Sequence, residues 1–152
     1  MGPSGFSRVK LAARSVVYTA CAVHLVTNYA VDVTMTKGPS MSPLISERGS
    51  LVLYARPPLL RLLRGSSAPL YKDGDVVIGI SPTNAKKRIC KRICSTENEQ
   101  RGQNVIPRGY VWIEGDNKSN SLDSRHYGAV SSHLLIGRVF VIVSSARGVE
   151  FL

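Results

Sequence analysis

A serine in a turn is the first side chain of this sequence that could act as a nucleophile. Ser40 lies in residues 38–43, GPSMSP, between an apolar N-terminal segment and a region of short strand-like runs. A hydroxyl attacks a peptide carbonyl at neutral pH only when another group takes its proton. Ser40 is therefore a candidate nucleophile if the chain also provides a base.

A lysine in the densest positive run is the candidate for that base. Residues 86–94 read KKRICKRIC. If this run is a strand, alternation places Ile89, Lys91 and Ile93 on one face, which should be buried. Burial disfavours the ammonium, so the pKa of Lys91 should fall and its neutral amine should become available as a general base. Lys86 should remain an ordinary charge.

A polar stretch that could hold such a lysine follows at residues 114–128, EGDNKSNSLDSRHYG. It is too polar for a core and too long for a simple hairpin turn. In an extended conformation Ser121, Asp123 and Arg125 share a face, so Asp123 and Arg125 could pair while Ser121 offers a hydroxyl to a neighbour. Taken alone, the stretch is more typical of an ordinary surface loop rich in Asn, Asp and Ser.

A histidine in the same stretch suggests a rival mechanism. The order Ser40, Asp123, His126 has a precedent in α/β-hydrolases, and residues 38–42 nearly fit the pattern Gly-X-Ser-X-Gly. The final glycine of that pattern is missing, and the chain lacks alternating strands and helices. We therefore interpret His126 as a loop imidazole.

These side chains require a β domain to position them. Short runs rich in β-branched and aromatic residues are separated by turn residues, which is typical of an antiparallel sheet. The predicted strands are Leu51–Tyr54, Asp75–Ile80, Tyr110–Ile113 and Arg138–Val143. Residues 57–71 alternate leucines with arginines and fit either a short helix resting on a membrane or a basic surface loop. Residues 96–104 are polar and are expected to be an exposed loop.

The N-terminal region divides into two segments ahead of this domain. Residues 1–14 carry basic side chains and no acid, and residues 15–32 are mainly apolar. We predict a membrane-anchoring helix over 15–32 and a catalytic β domain over 33–152. A cleaved secretory signal and an import presequence are the alternatives for the apolar segment.

Composition narrows the possible functions but does not identify one. The chain has 152 residues and a formal charge of +10, which suits one domain that meets a nucleic acid or an anionic surface. Cys21, Cys90 and Cys94 are too few for a disulfide scaffold, and no second metal-ligand pair accompanies the last two. We expect free thiols, no metal and no cofactor.

Taken in order, the motifs resemble the type I signal peptidase family, and within it the mitochondrial inner membrane branch. The resemblance runs through nearly the whole chain. It rests on Tyr18, Cys21 and His24 in the apolar segment, GPSM at 38–41, GDVV at 74–77, Ser81-Pro82, ICKRI at 89–93, GYVWIEGDN at 109–117, NSLDSR at 120–125 and Tyr127-Gly128. Asn117 and the intact Asp123-Ser124-Arg125 resemble one of that branch's two related subunits more than the other.

The resemblance implies a mainly β, signal-peptidase-like antiparallel fold behind one N-terminal membrane helix. It implies that Ser40 is the nucleophile and Lys91 the general base of a Ser-Lys dyad, that Ser121 positions the lysine, and that Asp123 and Arg125 form a structural ion pair. It also implies presequence-bearing precursors as substrates, a related second subunit as partner, and a mitochondrial inner membrane location facing the intermembrane space.

Two departures from the family pattern affect the expected site. Residues 94–98, CSTEN, replace the usual turn after the lysine. Gly38 stands where bacterial relatives often carry an oxyanion-binding hydroxyl, so the Ser40 N–H must do more of that work. Two other function classes stay open, a basic nucleic-acid-binding β domain and a non-catalytic subunit of a membrane complex.

Overall fold

A computed structural model describes residues 5–25, 29–65, 67–101, 104–145 and 147–152. The first element is helix α1, Gly5–Leu25, whose described side chains are exposed. Among these residues, no helix has both the length and the apolar character needed to span a bilayer. The bounds of α1 differ from those of the predicted anchor helix over 15–32. Residues 26–28 lie outside the described part, and Val31 and Asp32 belong to a strand. A membrane anchor stays a prediction.

The mainly antiparallel β architecture is confirmed. The described residues form ten strands, namely β1 (Val31–Thr36), β2 (Ser50–Ala55), β3 (Val76–Ser81), β4 (Asn84–Ser95), β5 (Gln100–Arg101), β6 (Asn104–Val105), β7 (Tyr110–Glu114), β8 (Val130–Ser131), β9 (Leu135–Ser144) and β10 (Gly148–Phe151). The main sheet has the order β1-β2-β9-β3-β4-β7-β8, with β10 paired to β9 and β5 paired to β6 separately. The four predicted strands lie within β2, β3, β7 and β9. The one exception is Asp75, the first residue of its predicted strand, which precedes β3.

Two apolar clusters lie on opposite faces of this sheet, and β3 and β4 contribute to both. Ile78 and Cys90 pack in the first cluster, whereas Val77 and Ile93 pack in the second. Alternate residues of a strand point to opposite faces, so a strand between two cores buries successive side chains. The C-terminal half of β4, where Lys91 lies, is therefore covered on both faces.

The residues between the strands form short helices. Helix α2, Pro57–Arg64, occupies part of the segment that the sequence left open between helix and loop. Its Leu60 is buried, but Leu62 and Leu63 are 81% and 71% exposed. Helix α3 is a single turn, Ser124–Tyr127. The predicted loop over 96–104 is largely exposed, and part of it forms the β5–β6 hairpin.

The outer face of β1, β2, β9 and β10 carries two rows of apolar side chains in register. The first row is Met35, Leu51, Val143 and Val149, and the second is Val33, Leu53, Val141 and Phe151. All but Leu53 and Val141 are exposed. An antiparallel sheet with one solvated face usually alternates apolar and polar residues, so these rows are unusual for a face in water. We call them the apolar rows.

Candidate active site

The turn after β1 holds Ser40 against the first core cluster. Gly38 has φ 118°, a conformation that side chains rarely adopt, and Pro39–Met41 forms a single 3₁₀ turn. Proline suits the first position of such a turn because its φ is already fixed. Met41 is buried in the core, so the turn is fixed beneath Ser40. The N–H of Asn117 donates to the Ser40 carbonyl oxygen at 3.1 Å, which ties the turn to the polar loop.

Lys91 is buried in the middle of β4, opposite Val77 on β3. Only 4% of the residue is exposed, and its side chain forms no ion pair or hydrogen bond with another described residue. Burial lowers the pKa of Lys91 below its ordinary value, the direction that the alternation predicted. The carboxylate of Asp123 opposes this shift, while the charges of Lys87 and Arg125 reinforce it. At a given pH, a larger fraction of Lys91 is therefore in the neutral amine form than for a surface lysine.

Asp123 organises the polar loop from a fully buried position, with 0% of its surface exposed. Its carboxylate accepts hydrogen bonds from the Gly115 N–H at 2.9 Å and from the Arg125 guanidinium at 2.8 and 2.9 Å. Burial alone would raise the pKa of Asp123, but these donors outweigh it and hold that pKa well below its usual range. The loop is therefore built around a permanently charged carboxylate.

Ser121 and Ser40 meet at Gly115. A Cβ on Gly115 would collide with the Ser121 hydroxyl and with the Ser40 carbonyl oxygen. The Ser121 hydroxyl is buried and lacks a hydrogen bond of ordinary geometry to any described residue, although it lies close enough to Asp123 to help lower that pKa. An unpaired buried hydroxyl is costly, so it is a group that a nearby donor or acceptor would satisfy.

A groove of about 390 Å³ brings the candidate nucleophile and base together. Gly38, Ser40 and Lys91 all line it. Its walls are residues 34–38, at the end of β1, and residues 87–91 of β4. Ser121, Asp123 and Arg125 do not line the groove.

The groove also contains residues to which the sequence gave no role. Asn120, Leu122 and Tyr127 line it from the polar loop and α3. The Tyr127 hydroxyl is buried without a partner among the described residues, and burial, aided by Asp123, raises its pKa to about 12. The packing of Gly115 was also missed. The only sequence signal for Tyr127 and Gly115 was their place in the family motifs.

The residues of the rival interpretations lie elsewhere. The His126 side chain is 53% exposed, its Nδ1 is 3.9 Å from the Asp123 carboxylate, and it does not line the groove. Cys90 is buried, and burial raises the pKa of its thiol to about 12. Within the described residues, no three His, Cys, Asp or Glu side chains are grouped as metal ligands. Arg92, in the basic run, is paired with Asp116 at 2.8 Å.

The sequence is similar to known proteins over most of its length. Residues 95–144 match the family model for signal peptidase, peptidase S26. The chain is 36% identical over 148 residues to the mitochondrial inner membrane protease subunit 1 of Schizosaccharomyces pombe, which covers 92% of this chain and 88% of the relative. It is 36% identical over 130 residues to subunit 1 of Homo sapiens, covering 79% and 74%. Subunit 2 of Saccharomyces cerevisiae is 30% identical over 126 residues, covering 78% and 71%.

Proposed function

Because the chain belongs to the signal peptidase family, peptidase S26, we propose that it is a membrane-bound serine endopeptidase. Its substrates in this proposal are proteins of the mitochondrial intermembrane space, from which it removes sorting presequences. The observation that carries the proposal is the groove in which Ser40 and a buried Lys91 of lowered pKa lie together. A nucleophile beside a neutral amine is what acyl transfer by a Ser-Lys dyad requires.

The reaction begins with proton transfer from the Ser40 hydroxyl to the neutral Nζ of Lys91. Ser40 Oγ forms a bond to the scissile carbonyl carbon, and the carbonyl oxygen takes the negative charge. The Lys91 ammonium then protonates the leaving amine as the peptide bond breaks, which leaves an acyl-enzyme. Water attacks the ester with Lys91 again as the base, and Ser40 regains its proton. The enzyme returns to its starting state without a metal or cofactor.

The oxyanion is expected to be held by the Ser40 backbone. No described residue accepts a hydrogen bond from the Ser40 N–H, so this donor is available to a ligand. Gly38 provides no side-chain donor. An oxyanion donor lowers the reaction barrier by about 3 kcal/mol. Because this chain lacks a side-chain hydroxyl at position 38, we expect it to be a slower enzyme than relatives that have one there.

The groove suits an extended peptide because two strand edges border it. Among the described residues, β1 pairs only with β2, and residues 84–91 of β4 pair only with β3, because the pairing with β7 begins at Arg92. Unpaired strand edges bind extended peptides through main-chain hydrogen bonds. Ser121 and the Asp123–Arg125 pair, in this proposal, fix Lys91 from behind while the substrate lies in front.

The relatives' names support a proposal for location and partner. These relatives are named for the mitochondrial inner membrane, and a related subunit 2 exists beside subunit 1. We infer the same membrane for this chain, a catalytic domain on the intermembrane-space side, and a heterodimer with a related second subunit. The exposed α1 would provide the attachment to the membrane.

The test is precursor processing in membranes that contain the chain and its partner. Ser40→Ala and Lys91→Met should accumulate uncleaved precursor, whereas Lys86→Met should cleave normally, because Lys86 is exposed and does not line the groove. Cleavage at the wild-type rate by Ser40→Ala or Lys91→Met would refute the dyad and favour a non-catalytic subunit.

A further inference from the structure

The tyrosine of helix α3 has a buried hydroxyl that the reaction described above does not use. The Tyr127 hydroxyl has no hydrogen-bond partner among the described residues, although Tyr127 lines the groove together with Ser40 and Lys91. Burial, aided by Asp123, raises the pKa of Tyr127 to about 12, so the hydroxyl stays protonated at neutral pH. A buried hydroxyl without a partner costs stability, so its place in this groove needs a physical reason.

The Tyr127 ring and the Lys91 side chain lie on the same face of the sheet. Val77 and Ile93 belong to the second apolar cluster, and Ile89 packs against it. Lys91 lies between the two isoleucines on β4 and pairs with Val77, so its side chain leaves the strand on that face. Tyr127 packs against the same cluster and lines the same groove. Its ring therefore helps to explain why Lys91, which also lines the groove, is only 4% exposed.

One carboxylate acts on both side chains and bonds to neither. The charged and titratable groups that act on Lys91 are Asp123 from the polar loop, Arg125 from α3, and Lys87 and Cys90 from β4. Across the strand pair, β3 presents the uncharged Val77. Asp123 also acts on Tyr127. Its carboxylate already accepts hydrogen bonds from Arg125 and from a backbone N–H.

The number of unpaired groups matches the valence of a neutral amine. A neutral lysine has two N–H bonds and one lone pair on Nζ, and a hydroxyl oxygen can accept a hydrogen bond. Ser121 and Tyr127 provide two buried hydroxyls that lack partners among the described residues. If both oxygens accept from Nζ, the lone pair is left for the Ser40 hydroxyl. Hydrogen bonds of this kind are often long without substrate and shorten when it binds.

We propose that Tyr127 is a positioning residue for Lys91, whose hydroxyl accepts a hydrogen bond from Nζ in the substrate complex and whose ring keeps water away from the amine. The hydroxyl thereby directs the Nζ lone pair toward Ser40. Tyr127 neither gives up nor gains a proton during the reaction. The inference rests on the proposed peptidase function and adds to it a residue that acts through the base.

The first experiment compares two buried tyrosines. Tyr71 also packs in the second cluster, but its hydroxyl donates to the Leu135 carbonyl oxygen at 3.3 Å and it does not line the groove. Tyr127→Phe should lower kcat for precursor cleavage about 30-fold with KM unchanged, because the ring stays while the lone pair loses its direction. Its thermal unfolding temperature should stay the same or rise, because an unpaired hydroxyl is removed. Tyr71→Phe should instead lower the unfolding temperature and keep the wild-type kcat.

Three results of this comparison would overturn the inference. One is a wild-type kcat in Tyr127→Phe, and another is an equal loss of kcat in Tyr71→Phe. The third is a raised KM with an unchanged kcat in Tyr127→Phe, since the hydroxyl would then bind the substrate rather than position the base.

A labelling measurement tests the ring without any cleavage. The Ser40→Ala full chain, in complex with its partner, is treated with trace acetic anhydride over a range of pH, and acetylation of Lys91 and of exposed Lys86 is quantified by mass spectrometry. Because burial lowers the pKa of Lys91, its labelling midpoint should lie below that of Lys86. Adding Tyr127→Leu should raise the Lys91 midpoint by about one pH unit, since water reaches the amine.

The control variants separate the ring from the hydroxyl. Tyr127→Phe, which keeps the ring, should shift the Lys91 midpoint far less than Tyr127→Leu, and Tyr71→Phe should leave it in place. A Lys91 midpoint that Tyr127→Leu does not move refutes the positioning role even in a protein that cleaves precursors. Absence of cleavage by the wild type refutes the proposed function instead, so the two failures are distinguishable.

Discussion

Two buried ionisable groups, Asp123 and Lys91, interact electrostatically at the site, and their surroundings are opposite. Asp123, behind the groove, accepts hydrogen bonds from Gly115 and Arg125 and stays charged. Lys91, at the groove, has no hydrogen-bond or ion-pair partner among the described residues, and burial lowers its pKa. Both side chains are almost inaccessible to solvent.

The contrast shows a division of roles in the fold, in which one residue provides stability and another provides reactivity. A fully partnered carboxylate fixes the backbone around it, since every donor near it is used. An unpartnered lysine costs stability but keeps its lone pair for a proton that a substrate reaction supplies.

Replacing the unpartnered group should give the largest effect. Lys91→Met should lower kcat/KM about 10⁴-fold, as for loss of a catalytic base. It should also raise the thermal unfolding temperature, because burial lowers the folded-state pKa of Lys91, so the lysine destabilises the fold at pH values below its unfolded-state pKa and this penalty disappears. Activity and unfolding are measured on the same preparations. A destabilised Lys91→Met protein would contradict the division.

Replacing the partnered group should do the reverse. Asp123→Asn should lower the free energy of unfolding by about 2 kcal/mol, because it leaves buried donors without their charged acceptor. Glu150→Gln, which removes a surface pair with Arg147, should cost less than about 0.5 kcal/mol. Denaturant unfolding at neutral pH compares the two variants.

The pH dependence of the Asp123 variant gives an internal check. The folded-state pKa of Asp123 lies below its ordinary value of 3.8, so its stabilisation is present above that value and is lost as pH falls towards the folded-state pKa. The stability difference between wild type and Asp123→Asn should therefore shrink below about pH 4. A difference that stays constant in acid would contradict the role of the charge.

A glycine joins the two regions, and its substitution should mainly affect rate. Gly115→Ala should lower kcat about 100-fold per folded molecule, because a Cβ displaces the Ser40 backbone and the Ser121 side chain and catalysis tolerates little displacement. Gly137→Ala makes a comparable collision with the Ala55 carbonyl oxygen, and because neither Gly137 nor Ala55 lines the groove it should cost stability instead. Equal kcat losses in the two variants would remove the special role of Gly115.

The smallest effect concerns the charge beside the base. Lys87→Met removes a positive charge that helps to lower the pKa of Lys91, so that pKa should rise. The acid limb of the kcat profile should then move to higher pH, since more base is needed to deprotonate Lys91. Lys86→Met should leave the profile in place, and a shift of the same size in both variants would argue against a local effect.

Local periodicity explains why much of the fold was predictable from the sequence. The alternation in residues 89–93 predicted the burial of Lys91, since a period of two needs no knowledge of distant residues. Strand β1 was missed because Val31 and Asp32 follow the apolar segment without a turn residue between them. A boundary inside an uninterrupted apolar run has no local signal.

The tertiary part of the site had no such signal. Gly115 meets Ser40 only because the polar loop folds back on the turn after β1, and nothing near either residue in the chain indicates that approach. The Tyr127 hydroxyl has no described hydrogen-bond partner, and no described Asp or Glu lines the groove. Both features also result from the three-dimensional arrangement. Sequence therefore located the reactive residues through their motifs but not the packing that positions them.

The apolar rows affect whether a newly made chain stays soluble in a cell. Six exposed apolar side chains on a face bordered by the free edge of β1 form a template for unwanted stacking between copies. A chain produced without a surface to cover that face should aggregate or be degraded. Its abundance in a cell would then follow the supply of the covering surface more closely than the rate of its own synthesis.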